Sequence, residues 1–130
     1  MATLFERIAS GEIPAHKVAE TASHLAFLDI NPQVEGHTLC IPKKATDYIF
    51  DLPDDELAAL MRFAKSVAKQ LEATVDCARI GVAVVGLEVP HVHVHLMPIE
   101  TVGDLSFGKS NLQPSSEALA ELAARIRAVE

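Results

Sequence analysis

The chain has 130 residues, 49% of them apolar and 22% charged, with a formal net charge of −7; this fits one soluble globular domain, residues 1–130, with a core of its own, and excludes disordered and fibrous classes. Its apolar runs fall well short of the roughly 20 residues a membrane-spanning helix needs, and its acidic balance opposes nucleic-acid binding, which draws most of its affinity from Lys and Arg on phosphate. The opening Met1 to Arg7 lacks the basic start and long apolar stretch of a secretory signal, which predicts a cytoplasmic protein whose Cys40 and Cys77 stay thiols.

Leu4, Phe5 and Ile8 share a helical face, Gly11 offers a stop and Pro14 forbids continuation, so the chain opens with a short helix. Extended segments are predicted around Lys17 to Ala19 and Leu25 to Asp29, then a turn at Asn31-Pro32, then a strand over Gly36 to Pro42. A second helix begins where Asp51, Pro53, Asp54, Asp55 and Glu56 place negative charge at the positive end of the helix dipole. Its apolar stripe runs through Leu57, Leu60, Met61, Ala64, Val67, Ala68 and Leu71 and needs an apolar partner. Ile80 to Val85 and His91 to Pro98 read as two further strands, joined by Gly86-Leu87-Glu88-Val89-Pro90. Thr101 to Pro114 has turn residues and no period, and a last helix starts near Ser115 with Leu119, Leu122, Ala123 and Ile126 on one face. The order predicts an α+β fold with helices on a mainly antiparallel sheet.

The chemistry concentrates in His91-Val92-His93-Val94-His95. Side chains two apart on a strand leave the same face, so this run stacks three imidazoles on one side and sends Val92, Val94 and Leu96 into a core. Metal binding is one use of such a face, but His91 and His95 lie about 13–14 Å apart at Cα by the rise per residue, and convergence on one ion needs a sharp bulge. A solvated polar face is another, though three imidazoles in register are an inefficient way to obtain one. The sharper reading is covalent catalysis at phosphorus. One imidazole attacks, its other nitrogen is held by a hydrogen bond that selects the tautomer, and a neighbouring ring donates to phosphoryl oxygen. His93, with imidazoles on both sides, is the candidate nucleophile.

Val89-Pro90-His91-Val92-His93-Val94-His95-Leu96-Met97-Pro98 closely resembles the signature of the histidine triad family of nucleotide hydrolases and transferases. Phe5-Glu6-Arg7-Ile8 with Gly11-Glu12-Ile13-Pro14, then Leu25-Ala26-Phe27-Leu28-Asp29-Ile30-Asn31-Pro32, then Gly36-His37-Thr38-Leu39-Cys40-Ile41-Pro42-Lys43-Lys44 are similar to family blocks in family order. The resemblance implies a homodimer with a five-stranded antiparallel sheet in each subunit, acting on the α-phosphorus of a purine nucleotide conjugate; separately, the ligand geometry leads us to expect no cofactor and no metal. It implies His93 as the nucleophile that forms a nucleotidyl-histidine, His95 as the ligand of phosphoryl oxygen and His91 as the supporting member. Asp29 takes the place of the family acid that accepts from ribose hydroxyls, and Phe5, Ile8, Phe27 and Ile30 that of the walls around the base. Glu88 and Val89, just before the signature, complete the expected substrate-binding set. His37 is expected to give a supporting hydrogen bond, His16 and His24 to lie at the surface, and Lys43-Lys44 to be a solvated pair or to attract phosphate.

The chain also departs from the family pattern. Ala45 stands where many members carry a further histidine, Leu87-Glu88 where a glutamine and a small polar residue are usual, and Thr3 and Glu6 near the cysteines of zinc-binding relatives. An ionised Glu88 facing phosphate repels it, and a protonated one donates to a leaving group. The leading expectation is therefore a hydrolase or transferase releasing a nucleoside monophosphate. The rivals are a nucleotide-binding module with little catalysis and a metalloprotein using the histidine face.

Overall fold

The structure, a computed structural model, describes residues 2–108 and 110–129. Helix α1 (Leu4–Ala9) leads into β1 (Lys17–Glu20), β2 (His24–Leu28) and β3 (Thr38–Pro42), followed by the long α2 (Asp54–Thr74), β4 (Arg79–Ala83), β5 (Val94–Ile99) and α3 (Ser116–Arg127). The five strands form one sheet in the order β1-β2-β3-β5-β4, with every neighbouring pair antiparallel. This is the expected α+β architecture. Among the described residues, no helix is long and apolar enough to cross a membrane.

Alternation along the strands divides the sheet into two unequal faces. Ala26, Leu28, Cys40, Val94 and Leu96 point to the side covered by α2 and α3, where they meet Leu60, Phe63, Ala64, Val67 and Leu71 of α2 and Leu119, Leu122, Ala123 and Ile126 of α3. On the opposite face Leu25, Phe27, Leu39 and Ile41 cluster with Phe5 and Ile8 of the six-residue α1, with Ala9, Ile13, Ala15 and Val89 at the margin. That second cover is too small for the whole face, and the space beside it holds the histidines.

The helix termini follow their sequence signals. Ser115 caps α3 by accepting from the Ala118 N–H at 3.0 Å, and Asp54, Asp55 and Glu56 fill the first turn of α2. Within the predicted α2 stripe, Met61 is exposed and Phe63 takes the buried place. Phe63 joins the core beneath α2 and stacks on His24 with centroids 5.1 Å apart. His24 is thus half-buried, not a surface residue, and burial pushes its pKa below the ordinary value.

Three strand bounds differ from expectation: β3 starts at Thr38, β4 covers Arg79–Ala83, and β5 starts at Val94, not at His91. Thr38, Leu39 and Cys40 pair with Leu96, His95 and Val94. Continued, this register would set Pro42, which has no N–H, opposite Val92, and the ladder ends first. The Val92 N–H bonds instead to the Thr46 carbonyl at 2.7 Å.

Gly36 makes the turn into β3 with φ of +87°, and a Cβ there would lie 3.0 Å from Pro98 Cγ and 3.1 Å from Val75 Cγ2. Gly11 has the same sign of φ but nothing within 4 Å. Gly36→Ala is therefore expected to cost about 1–3 kcal/mol, from backbone strain plus crowding, and Gly11→Ala only about 1 kcal/mol. Urea denaturation of the two variants checks the difference, and equal midpoints would refute the crowding at Gly36.

Candidate active site

Although the run straddles the start of β5, His91, His93 and His95 still lie on the face opposite Val92, Val94 and Leu96. All three are buried, and His91 is 0% exposed. They do not share one opening. His93 and His95 line the same two cavities, whereas His91 lines neither and is sealed beneath Phe5, with ring centroids 5.7 Å apart. His91, expected among the catalytic residues, has its ring outside both cavities and meets them only through its backbone carbonyl, which lies against His93 Nδ1.

Hydrogen bonds select each neutral tautomer. His91 Nε2 lies 2.7 Å from the Pro42 carbonyl, which can only accept, so Nε2 carries the proton and Nδ1 accepts from the Thr3 hydroxyl at 2.7 Å. His93 Nδ1 lies 2.8 Å from the His91 carbonyl and therefore donates, leaving Nε2 with its lone pair. His37 Nδ1 accepts the Gln33 backbone N–H at 3.1 Å, so His37 Nε2–H donates to His95 Nδ1 at 2.9 Å. The proton on neutral His95 is consequently at Nε2. With the His93 and His95 rings 4.9 Å apart, a bare nitrogen and an N–H donor stand side by side.

Burial disfavours a charged imidazole and pushes His95 down to about 3, helped by His93 and His37. His91 and His37 are lowered by the same cause, partly opposed by the Pro42 carbonyl at His91 and by the Asp29 carboxylate at His37. His95 thus stays neutral at physiological pH and keeps one donor and one acceptor.

Each expected substrate-binding residue lines the first cavity, which measures about 320 Å³: Phe5, Ile8, Phe27, Asp29, Ile30, Glu88 and Val89 surround it together with His93 and His95. Phe5 meets Phe27 edge-on at 5.6 Å and His93 at 4.9 Å, so the apolar end is built on α1 and β2. Ile30 is 65% exposed and forms the outer wall. Asp29 closes the end of β2, where its Oδ1 accepts the Asn31 N–H at 2.8 Å and its Oδ2 lies 3.7 Å from His37 Nε2. A second cavity of about 470 Å³ shares Asp29, Asn31, Glu88, His93 and His95 with the first and extends to Phe107.

Lys43 is engaged by Glu20 at 2.8 Å and lines neither of these cavities, so it does not serve the site as a phosphate ligand. Among the described residues, no group of three or more His, Cys, Asp or Glu side chains is arranged to hold a metal ion. The sequence reading did not anticipate the parts played by Gln33, Thr3 and Phe107. Gln33 reaches His37 through its backbone N–H, which leaves no mark in a sequence. Thr3 joins a residue 88 positions away. Phe107 was detectable only as a lone aromatic in a loop rich in turn formers.

A family model described as HIT domain matches residues 10–102. The chain is 40% identical over 128 residues to an uncharacterized HIT-like protein of Methanocaldococcus jannaschii, covering 92% of this chain and 97% of that one. It is 41% identical over 98 residues to the adenosine 5'-monophosphoramidase of Saccharomyces cerevisiae, covering 75% of this chain and 62% of that protein. The crystal structure of a Hit-like protein involved in cell-cycle regulation from Bartonella henselae superposes with a TM-score of 0.84 at 30% identity, covering 97% of this chain and 94% of that one.

Because the His95 value is lowered on folding from an ordinary 6.5 to about 3, the unfolded chain takes up a proton in that interval that the native state refuses. The stability it contributes is complete above about pH 6.5 and is lost as pH falls toward about 3. Urea midpoints followed through this interval are expected to decline, and His95→Gln to flatten the decline; an unchanged slope would contradict it. Thr3→Val leaves His91 Nδ1 without a donor and the Glu6 N–H without its cap at the start of α1, and is expected to cost about 1–3 kcal/mol, restored by Thr3→Ser, with thermal melts as the measure.

Proposed function

The chain belongs to the HIT domain family, and from that premise we propose that it is a hydrolase or transferase acting at the α-phosphorus of a purine nucleotide conjugate through a nucleotidyl-histidine. The observation that carries this reading is the unprotonated His93 Nε2 beside the His95 Nε2–H, at the inner end of a cavity whose other end is apolar. The purine packs among Phe5, Ile8, Phe27 and Ile30, and the Asp29 carboxylate accepts from the ribose hydroxyls.

His93 Nε2 forms a bond to phosphorus as the bond to the leaving group breaks, and the leaving atom departs with the electron pair and takes up a proton. Charge building on the non-bridging oxygens is met by His95 Nε2–H, a donor already aimed and costing no reorganisation. The positive charge of the nucleotidyl-imidazole is stabilised through Nδ1–H on the His91 carbonyl. Water, or a second acceptor, then attacks phosphorus, and the P–N bond breaks to restore neutral His93. The phosphoramidase name of the yeast relative supports a P–N conjugate as substrate. The implied homodimer is supported by β4, an edge strand on which Val82 is 50% exposed.

His93→Ala is expected to lower turnover of an adenosine phosphoramidate at least about 10³-fold while leaving AMP affinity within about threefold. Steady-state kinetics beside calorimetry measure both. Micromolar AMP binding by the wild type without turnover of any conjugate would overturn the enzyme and leave a nucleotide-binding module.

A further inference from the structure

Resting on that catalytic reading and extending it, we propose that the leaving group is an amine carried on an apolar body, aromatic or branched alkyl, which packs against Phe107, Leu87 and Val85. With the base in the first cavity and phosphorus at the boundary residues His93, His95 and Asp29, what departs enters the second cavity. Three large apolar side chains stand on that wall in contact with water: Leu87 is 88% exposed, Val85 48% and Phe107 45%. Uncovered apolar surface of this extent beside a reacting centre gains from an apolar occupant.

The wall is a built one. The Phe107 ring is held edge-on to His95 with centroids 4.7 Å apart. The Gln33 side-chain amide donates to the Gly108 carbonyl at 2.7 Å. Upstream, Asp104 Oδ2 accepts the N–H groups of Glu100 and Thr101 at 2.9 and 3.0 Å and ties down the turn before Phe107. The charged side chains on the described part of the wall, Asp29 and Glu88, are both acidic. An oligophosphate leaving group brings negative charge toward them, whereas an amine leaves as an ammonium that they attract. In the step itself the His93 Nε2–P bond forms, the P–N bond breaks, and the nitrogen keeps the electron pair and takes one proton from water to leave as the neutral amine, which takes a second proton from solvent and becomes the ammonium that Asp29 and Glu88 attract.

Two adenosine phosphoramidates separate the possibilities, one of 2-phenylethylamine and one of the more polar 2-methoxyethylamine, with an adenosine oligophosphate as a third substrate. In the wild type kcat/KM for the phenylethyl conjugate is expected to exceed that for the methoxyethyl conjugate by about tenfold or more, with the oligophosphate slower than both. Phe107→Ser and Leu87→Ser should each bring the ratio several-fold toward one, and Glu88→Gln should speed the oligophosphate relative to the amides. The ratio is read because any disturbance of His95 by loss of the Phe107 ring slows both amides alike and cancels. A wild-type ratio near one, a ratio unmoved by both serine variants, or faster oligophosphate cleavage overturns the proposal while the catalytic reading stands. No turnover of any of the three overturns both.

Discussion

The hydrogen bond from the Gln33 backbone amide to His37 Nδ1 decides where the protons of His37 and His95 reside. Because that amide can only donate, His37 presents its proton at Nε2, His95 accepts it at Nδ1, and the remaining His95 proton points toward the cavity. An independent pair of backbone carbonyls, Pro42 for His91 and His91 for His93, leaves His93 Nε2 bare. Backbone groups do not titrate. The division of labour between a bare nitrogen and an N–H donor is thus set by the chain path, and the low pKa of His95 keeps its ring neutral, with the donor in place, through the neutral range.

The sheet makes this arrangement rigid by giving its two faces different work. One face is closed by α2 and α3 with buried aliphatic side chains. The other is covered by a single short helix, so a strand long enough to cross both zones contributes core and site from alternate residues. β5 does this with Val94 and Leu96 against His95, and β2 with Leu28 against Phe27. Gly36 couples the two, since its approach to Pro98 and Val75 sets the path by which His37 enters β3.

Much of this was legible because it rests on period. The alternation of imidazole with valine fixed the sidedness of the triad, and the blocks pointed to the apolar residues Phe5, Ile8, Phe27 and Ile30 and the acid Asp29 that line the first cavity. What local pattern could not supply was the end of pairing: β5 begins three residues late because Pro42 offers no donor to continue the ladder. Nor could it reveal that His91 is sealed from the cavity, since the Thr3 and Pro42 partners that hold it come from distant segments. Phe107 lay in a stretch without period, where only the folded chain brings it onto His95. Met61 and Phe63 exchanged places because a helical stripe has a width, and an aromatic ring reaches the sheet from its margin.

Helix α1 has six residues and a capping box between Thr3 and Glu6, far below the length at which a helix holds itself together in water. It persists only while docked, yet it carries the Phe5 and Ile8 wall of the first cavity and follows directly on the Thr3 hydroxyl that clamps His91. Fraying of this one turn on warming releases the roof and the clamp together, while the sheet beneath remains whole. Loss of the cavity wall on heating is then a local event that precedes the global melt, and any ligand held in that cavity, by weighting the docked helix, moves the two temperatures closer together.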